Sequence, residues 1–328
     1  LTLSLALNPG PVTRPLLDGT VPTEGVTWHA SALHPSEMFW RQLRFGEFDV
    51  SEMSLSSLLQ HVDKRRGAWT GLPVFTTRTL CHTDIIVAED AGIERPADLA
   101  GKRVGVPEYQ QTSAVWSRGV LADEHGVLPG DIAWYMERGD GLSHAGATGF
   151  RPPEGVRVET VGPSESIGSL LSEGRLDASL LYLSERNLVD RSPDAARLAR
   201  PVRRLFDPAA ESARYQAATG FRHATHCVVV RSELARRHPW LVLNVYAAFE
   251  RAKRLVADRA RAALQPWAPI LPEARATAAA LPAADPWPSG LAGQWPMLAT
   301  LCRYAHEQGV TTRLIEPDEL FAPQTADL

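Results

Sequence analysis

The sequence predicts an α/β protein built as two lobes facing a common cleft, followed by a helical carboxyl-terminal region. Three observations lead there. From Leu1 to Val230, apolar runs of strand length alternate with amphipathic helical stretches, the pattern of layered α/β architecture. The segment LRFGEFDV, residues 43–50, is echoed by LSEGRLDA, residues 171–178; each reads as helix, glycine break, acidic turn and buried strand. That echo is too short to set a repeat period, so it points to two similar lobes and not to a solenoid. Beyond Trp240 the strand-like runs cease, and the chain turns helical and rich in Ala, Pro and Trp.

With 328 residues the chain can form two medium domains with a sizeable core. Acidic and basic residues are intermixed and the net charge is −4. This leaves no basic footprint, so nucleic acid is not an expected partner. No apolar run approaches the ~20 residues that span a bilayer, and no membrane partner is expected either. Cys81, Cys227 and Cys302 lie far apart, with neither CxxC nor zinc spacing. They read as buried thiols, compatible with a reducing compartment, and no metal is expected. A cytoplasmic location follows, or a periplasmic one if an export signal has been trimmed ahead of Leu1. An exposed helical carboxyl-terminal region can pair with a second copy, so a homo-oligomer is a possible assembly.

Residues 1–7, LTLSLAL, are apolar at the odd positions and open the first sheet. The loop NPGPVTR, residues 8–14, follows that strand's carboxyl end, where open α/β sheets bind ligands. Arg14 offers forked donors to a carboxylate there, or is a solvated loop side chain. A second strand is predicted over 26–32 and a helix over 36–45, with Met38, Phe39, Trp40 and Leu43 apolar and Gly46 ending it. Strand 48–53 then carries Glu52 to a helix start lined by Ser54, Ser56 and Ser57. Glu52 either complements that helix dipole or serves proton transfer, and Ser54 is a candidate substrate contact. Strands over 72–74 and 85–87 flank FTTRTLCHTD, residues 75–84. Its Arg78 and His82 can serve a bound anion or be structural.

The stretch GKRVGVPEYQQTSAVW, residues 101–116, is where these signals converge. Residues 102–106 read as a buried strand, Pro107 stops the ladder, and a helix starts at Thr112 with Val115, Trp116, Val120 and Leu121 apolar. A polar turn entering a helix at Thr112 and Ser113 aims backbone N–H groups at one spot, which suits an anion as well as plain capping. Glu108 and Tyr109 are candidate cleft-facing side chains, with Trp116 beside them.

The helix is expected to end near residues 125–126, with strands over 132–135, 156–161 and 177–182 and a helix over 166–172. Between them, the Gly-rich segment 137–153 reads as a surface insertion, with a lid as its functional reading. Residues 190–210 read as an exposed helix and loop. His223 and His226 lie three apart before the strand 227–230; on an extended chain they face opposite sides, so a shared metal is not expected. His226, directly ahead of the buried run, is the better placed for chemistry. Helices over 232–238 and 240–259 follow. No Walker loop, GxGxxG after a strand, GxSxG elbow or HExxH occurs, which argues against nucleotide, flavin or serine-hydrolase chemistry.

Several segments together resemble the 4,5-dihydroxyphthalate decarboxylase family: TRPLLDG (13–19), FWRQLRFGEFDVSEMSLSS (39–57), PVFTTR (73–78), DLAGKRVGVPEYQQTSAVWSRGVL (98–121), VVVRSEL with HPW (228–240) and YAHEQG with FAP (304–323). NPGPV at 8–12 and RHAT at 222–225 depart from the family pattern beside the expected cleft. The resemblance implies a type II periplasmic-binding-protein-like fold with its ligand between the lobes. The first lobe would comprise 1–104 and 222–328, and the inserted second lobe 105–221, with crossovers near 104–106 and 220–226.

The same resemblance implies a cofactor-independent decarboxylase of a hydroxylated, phthalate-like aromatic acid. Such chemistry protonates the ring carbon bearing the carboxylate, and a hydroxyl para to it supplies electrons. Candidate proton-transfer residues are His226, His82, Glu52 and Glu108. Candidate substrate-binding residues are Arg14, Ser54, Arg78, Tyr109, Thr112, Ser113 and Trp116. Two other readings stay open: a solute-binding protein for a small anionic aromatic, and an enzyme acting on another cyclic acid in a biosynthetic pathway.

Overall fold

The computed structural model describes residues 1–139, 141–183, 187, 189–193, 195–281 and 285–328. Among these, the strands form two sheets. In the first, β1 (Thr2–Leu7) pairs in parallel with β2 (Thr27–Ala32) and with β3 (Val50–Ser54). Two antiparallel strands, β4 (Trp69–Arg78) and β11 (Ala224–Arg231), complete the order β2-β1-β3-β11-β4. The second sheet holds β5 (Ile86–Ala88), β6 (Arg103–Val106), β7 (Ala133–Met136), β8 (Val158–Thr160), β9 (Ala178–Ser179) and β10 (Val202–Arg204), in the order β10-β5-β9-β6-β7-β8.

The chain therefore leaves the first sheet after Arg78 and returns to it at Ala224. The sequence expectation for the return is 220–226, and β11 begins at Ala224. The outward crossing does not lie near 104–106, because β5 and β6 both belong to the second sheet. The physical reason is plain: β5 is short and apolar throughout, so periodicity cannot say which sheet it joins. Its partners are β9 and β10, both distant in sequence and both antiparallel to it. The β4 strand is also far longer than the predicted 72–74, because its whole length from Trp69 to Arg78 is laddered to β11.

Local signals set the helices that frame the cleft. Helix α1 (Arg14–Leu17) is a single turn after the first loop. In α2 (Pro35–Phe45), His34 caps by accepting the Ser36 N–H, Pro35 pre-sets the first turn, and Gly46 closes the end at φ 59°. Helix α3 (Leu55–Asp63) leaves β3 directly, with Ser54 as its N-cap. Helix α4 (Thr112–His125) ends at Gly126 with φ 68°. The short helices α5 (His144–Thr148) and α6 (Ile167–Ser172) belong to the second lobe, and α7 (Pro208–Thr219) leads back towards the first. Helices α8 (Ser232–Arg237), α9 (Pro239–Leu264), α10 (Pro272–Ala280) and α11 (Trp295–Glu307) make up the helical carboxyl-terminal region. No helix among the described residues is long and apolar enough to cross a membrane.

One core packs α9 on the first sheet through Leu241, Val245, Ala248 and Phe249. Another lies under the second sheet, around Val104, Val106, Tyr109 and Trp134. A third joins the lobes: Met53, Leu55 and Phe75 of the first meet Val115 and Trp116 of α4 and Leu298, Leu301 and Tyr304 of α11. Helix α4 is buried on nearly all sides as a result, which is why its apolar residues trace no single stripe.

Two segments differ from expectation. The Gly-rich stretch 137–153 is not a surface insertion; Glu137, Arg138, Ser143, His144 and Thr148 are buried and α5 forms within it. Asp140, in the same stretch, lies outside the described residues. In 190–210, expected to be exposed, Asp190 and Ser192 are buried against the second lobe. Both segments carry charged or polar residues whose burial is supported by specific partners, a feature that composition does not reveal.

Candidate active site

The carboxyl end of β3, the start of β11 and the starts of α3 and α4 meet between the two sheets. A small cavity of about 30 Å³ lies there, lined by Pro35, Ser36, Phe39, Ser54, Gln111, Thr112, Ser113, Arg138, His144, Thr225 and His226. Its floor is built from two helix N-termini. The Ser54 hydroxyl, at the N-cap of α3, lies 2.7 Å from the Thr112 hydroxyl in the first turn of α4. Thr112 Oγ1 also accepts the Ser56 N–H at 2.9 Å. Neither Ser54 nor Gln111, the N-cap of α4, makes a side-chain cap bond to its own helix. Two positive dipole ends and two hydroxyls are thus brought to one point, an arrangement suited to a carboxylate.

His226 stands on the opposite wall because β11 pairs it with Ser54 of β3 and Thr77 of β4. Its Nδ1 lies 3.1 Å from Thr77 Oγ1 and 3.4 Å from Glu52 Oε2. The Glu52 carboxylate is fully buried, accepting the Asn8 N–H at 2.7 Å and the Thr76 hydroxyl at 2.6 Å. With Nδ1 engaged, Nε2 has no protein partner among the described residues and is the nitrogen left to the cleft. Phe39 fixes the ring from the side, edge to face at 4.7 Å. A buried carboxylate behind an imidazole sets its tautomer and orientation, as proton-transfer sites require.

The remaining wall is a buried ionic cluster from the second lobe. Arg138 donates to Glu108 at 2.9 Å, to Asp190 at 2.6 Å and to Ser36 Oγ of the first lobe at 2.7 Å. Glu108 also accepts the backbone N–H groups of His144 and Ala145 at the start of α5 and the Ser143 hydroxyl. Burial pushes the Glu108 carboxyl up, but His144, Arg138 and the His144 N–H together outweigh it and hold the group below its usual range. His144 is pushed down, by burial first and by Arg138 next, and its Nε2 bonds the Ser36 carbonyl at 3.0 Å. With two carboxylates on one guanidinium, Arg138 has no charge to spare for a substrate.

Of the predicted site residues, the structure brings Glu52, Ser54, Thr112, Ser113 and His226 together, all but Glu52 directly lining the cavity. Six others lie elsewhere. Glu108 is spent clamping Arg138 and α5, so it is a support of the wall and not a free proton carrier. Its distance from the helix start in sequence concealed the loop that folds onto it. His82 is buried behind the cleft, bonded through Nε2 to Glu211 Oε1 at 2.8 Å; burial lowers its pKa despite that carboxylate. Tyr109 is in the second-lobe core, stacked on Phe150, with the Arg118 guanidinium 3.7 Å over its ring. Trp116 stacks face to face on His223 at 4.2 Å and donates to the Ala224 carbonyl. Arg14 is exposed at the start of α1, away from the cavity lining. Arg78 turns to the carboxyl-terminal region, donating to the Pro288 carbonyl at 2.6 Å and Gln294 Oε1 at 2.8 Å. Among the described residues, no group of three or more His, Cys, Asp or Glu is placed to hold a metal ion.

Compared with known proteins, the chain is 31% identical over 331 residues to the 4,5-dihydroxyphthalate decarboxylase of Comamonas testosteroni, covering all of this chain and 98% of that one. The chain belongs to the 4,5-dihydroxyphthalate decarboxylase family. A second member, from Pseudomonas putida, is 36% identical over 178 residues, covering 54% of this chain and 69% of the relative. No family model matches. Among solved structures, the periplasmic aliphatic sulphonate binding protein SsuA of Escherichia coli superposes with a TM-score of 0.55 at 15% identity, over 98% of this chain and 92% of that one. The desulfurization enzyme DSZB does so with 0.54 at 14% identity, over 99% and 96%. At such identities the likeness concerns the fold alone, which is that of periplasmic binding proteins of type II.

Within this decarboxylase-family chain, the sequence did not single out Ser36, Phe39, Arg138 or His144 as cleft residues. Phe39 was legible only as part of an apolar helix face. Arg138 and His144 lie in a glycine-rich stretch with no periodic pattern, and the available signal was the unusual run of Arg, Ser and His within it.

Proposed function

We propose that the chain is a cofactor-independent decarboxylase of a phthalate-like hydroxylated aromatic acid, with His226 as the proton donor. Family membership supports the reaction class. The observation that carries the residue assignment is the pairing of His226 with buried Glu52, facing the two helix starts at Ser54 and Thr112.

In this reading, one substrate carboxylate rests on the N–H groups and hydroxyls around Ser54, Thr112 and Ser113. Since Arg138 is already matched, these neutral donors and His226 carry the anion recognition. The imidazolium of His226 protonates the ring carbon that bears the departing carboxylate. Electrons from the para oxygen stabilise that intermediate as a dienone. The carbon–carbon bond then breaks, CO2 leaves, and its bonding pair restores the aromatic ring. Glu52 holds the charged imidazole in place and stabilises it. Histidine suits the task because an imidazole can both give and take up a proton, so it can be recharged from solvent between turnovers.

The test is incubation of the protein with 4,5-dihydroxyphthalate while CO2 and protocatechuate are followed. Turnover in the wild type that is lost in His226→Gln supports the reading. Stoichiometric binding without CO2 would replace it with that of a solute-binding protein, a role to which the fold is equally suited.

A further inference from the structure

Behind the crossovers lies a second, separate pocket of about 350 Å³ that shares no lining residue with the cleft. Its lining includes three arginines, Arg78, Arg204 and Arg222, but a single carboxylate, Asp84. Arg204 meets Asp84 and the Thr83 carbonyl through Nη1 alone, at 2.8 and 2.7 Å. Arg78 has no carboxylate partner among the described residues; its fork ends on the carbonyls of Pro288 and Arg222 and on the Gln294 amide oxygen. Burial lowers its pKa to about 10, against a smaller opposing pull from the Asp285 carboxylate. Arg222 is exposed and makes no ion pair among the described residues. Asp207 caps α7 through Oδ1, accepting the Ala209 and Ala210 N–H groups, and is not among the residues that line the pocket.

We propose that this pocket is a second binding site, taking a small doubly charged oxyanion between the forks of Arg204 and Arg222, with the Arg78 charge beside it and the Ser212 and Thr83 side of the pocket closing over it. The volume exceeds that of one phosphate and accommodates a compact dicarboxylate. Guanidinium forks recognise the paired oxygens of either. The three cations come from different parts of the fold: Arg78 ends β4 of the first sheet, Arg204 ends β10 of the second, and Arg222 lies in the returning crossover. The crossovers themselves are joined there, by the Thr79 N–H on the His223 carbonyl and the Cys81 N–H on His223 Nδ1. An anion in the pocket would therefore bridge both lobes at their hinge, on the face away from the cleft. The assignment does not depend on what the cleft does.

Isothermal titration with inorganic phosphate and, separately, with phthalate tests this at constant ionic strength set by chloride. Arg204→Gln/Arg222→Gln should weaken binding of at least one probe tenfold or more, with far-UV circular dichroism unchanged. Thr112→Val, which alters a cleft residue outside this pocket, should leave that same binding event in place. Loss of phosphate binding only identifies an inorganic oxyanion site, and loss of one of two phthalate equivalents identifies a dicarboxylate site. Binding of both probes that is unchanged in the double arginine variant, or no binding beyond the cleft in the wild type, overturns the proposal. Arg222→Glu gives a second check, since charge reversal should abolish the event even if glutamine retains part of it.

Discussion

In the proposed mechanism His226 acts through Nε2, which has no partner among the described residues, and this gives the sharpest prediction at the level of single residues. His226→Gln removes the imidazole that would deliver the proton. Steady-state assays should show kcat lower by ~10²–10⁴, the usual contribution of a positioned acid, with a much smaller change in KM. Thr112 is a subtler case. Its hydroxyl accepts the buried Ser56 N–H as well as facing the cleft. Thr112→Val should therefore weaken substrate binding and also cost ~1–3 kcal/mol of stability, because a buried donor is left unpaired. Thr112→Ser keeps the acceptor and should preserve both; calorimetric titration and urea denaturation on the pair separate the two effects. That split was not visible in the sequence, where Thr112 read as a helix start suited to an anion or to plain capping. What was legible had a local cause: Glu52, Ser54, Thr112 and Ser113 sit where a strand gives way to a helix, and such junctions show in sequence. His82 and Trp116 were misplaced because an unpatterned histidine and an apolar helical residue carry no mark of which side of a buried layer they face.

At the scale of elements, α4 explains most. Gly119 in its middle allows the Tyr304 ring of α11 to lie so close that an added Cβ would fall 2.1 Å from it. Gly119→Ala should raise intrinsic helix propensity yet destabilise the protein, by ~1–3 kcal/mol or more, as a lower urea midpoint. A positive result for propensity and a negative one for stability would show that packing decides here. The clamp on α5 makes a second case. Glu108→Gln leaves Arg138 paired with Asp190 alone and weakens the bonds to the start of α5; because the guanidinium stays matched, the expected loss is that of weakened buried hydrogen bonds, ~1–3 kcal/mol, read as a lower urea midpoint. The sequence showed the helices and most strands because their periods and caps are local. It could not show that 137–153 folds inward, since a buried polar segment is specified by partners far along the chain: Glu108 and Ser36 for this one.

At the scale of the molecule, acid should loosen the fold. His61 Nε2 accepts the Ala68 and Trp69 N–H groups, and burial, aided by Arg66, lowers its pKa from 6.5 to about 4. The unfolded chain binds that proton near pH 6.5 and the folded one only near 4. Its contribution is therefore complete above pH 6.5 and is lost as pH falls from there towards 4. Buried His82, His144 and His223 are shifted in the same direction. Urea midpoints between pH 7.5 and 4.5 should fall with acid, and less steeply in His61→Gln, whose amide oxygen still accepts. The two-lobed plan was legible from one short echo and a set of family segments, while the point of crossing was not, because β5 pairs only with distant strands. The cavity of about 30 Å³ is far smaller than an aromatic diacid needs, so the lobes must part to admit one. Contacts that would open include the Trp40 indole on the Gly141 carbonyl and Lys64 and Arg66 on Thr148. Here α4 acquires another meaning. It is seated in both lobes, through Val115 and Trp116 on one side and Ala114 and Leu121 on the other, and is pinned to α11 by Asp123 on Tyr304 and Arg303. Such a helix is an axle, and points on an axle do not travel. In the proposed reading, a rim that swings at α5 would leave Thr112 and Ser113 at the tip in their station beside Ser54, so the berth proposed for the carboxylate would stand finished before the gate is shut.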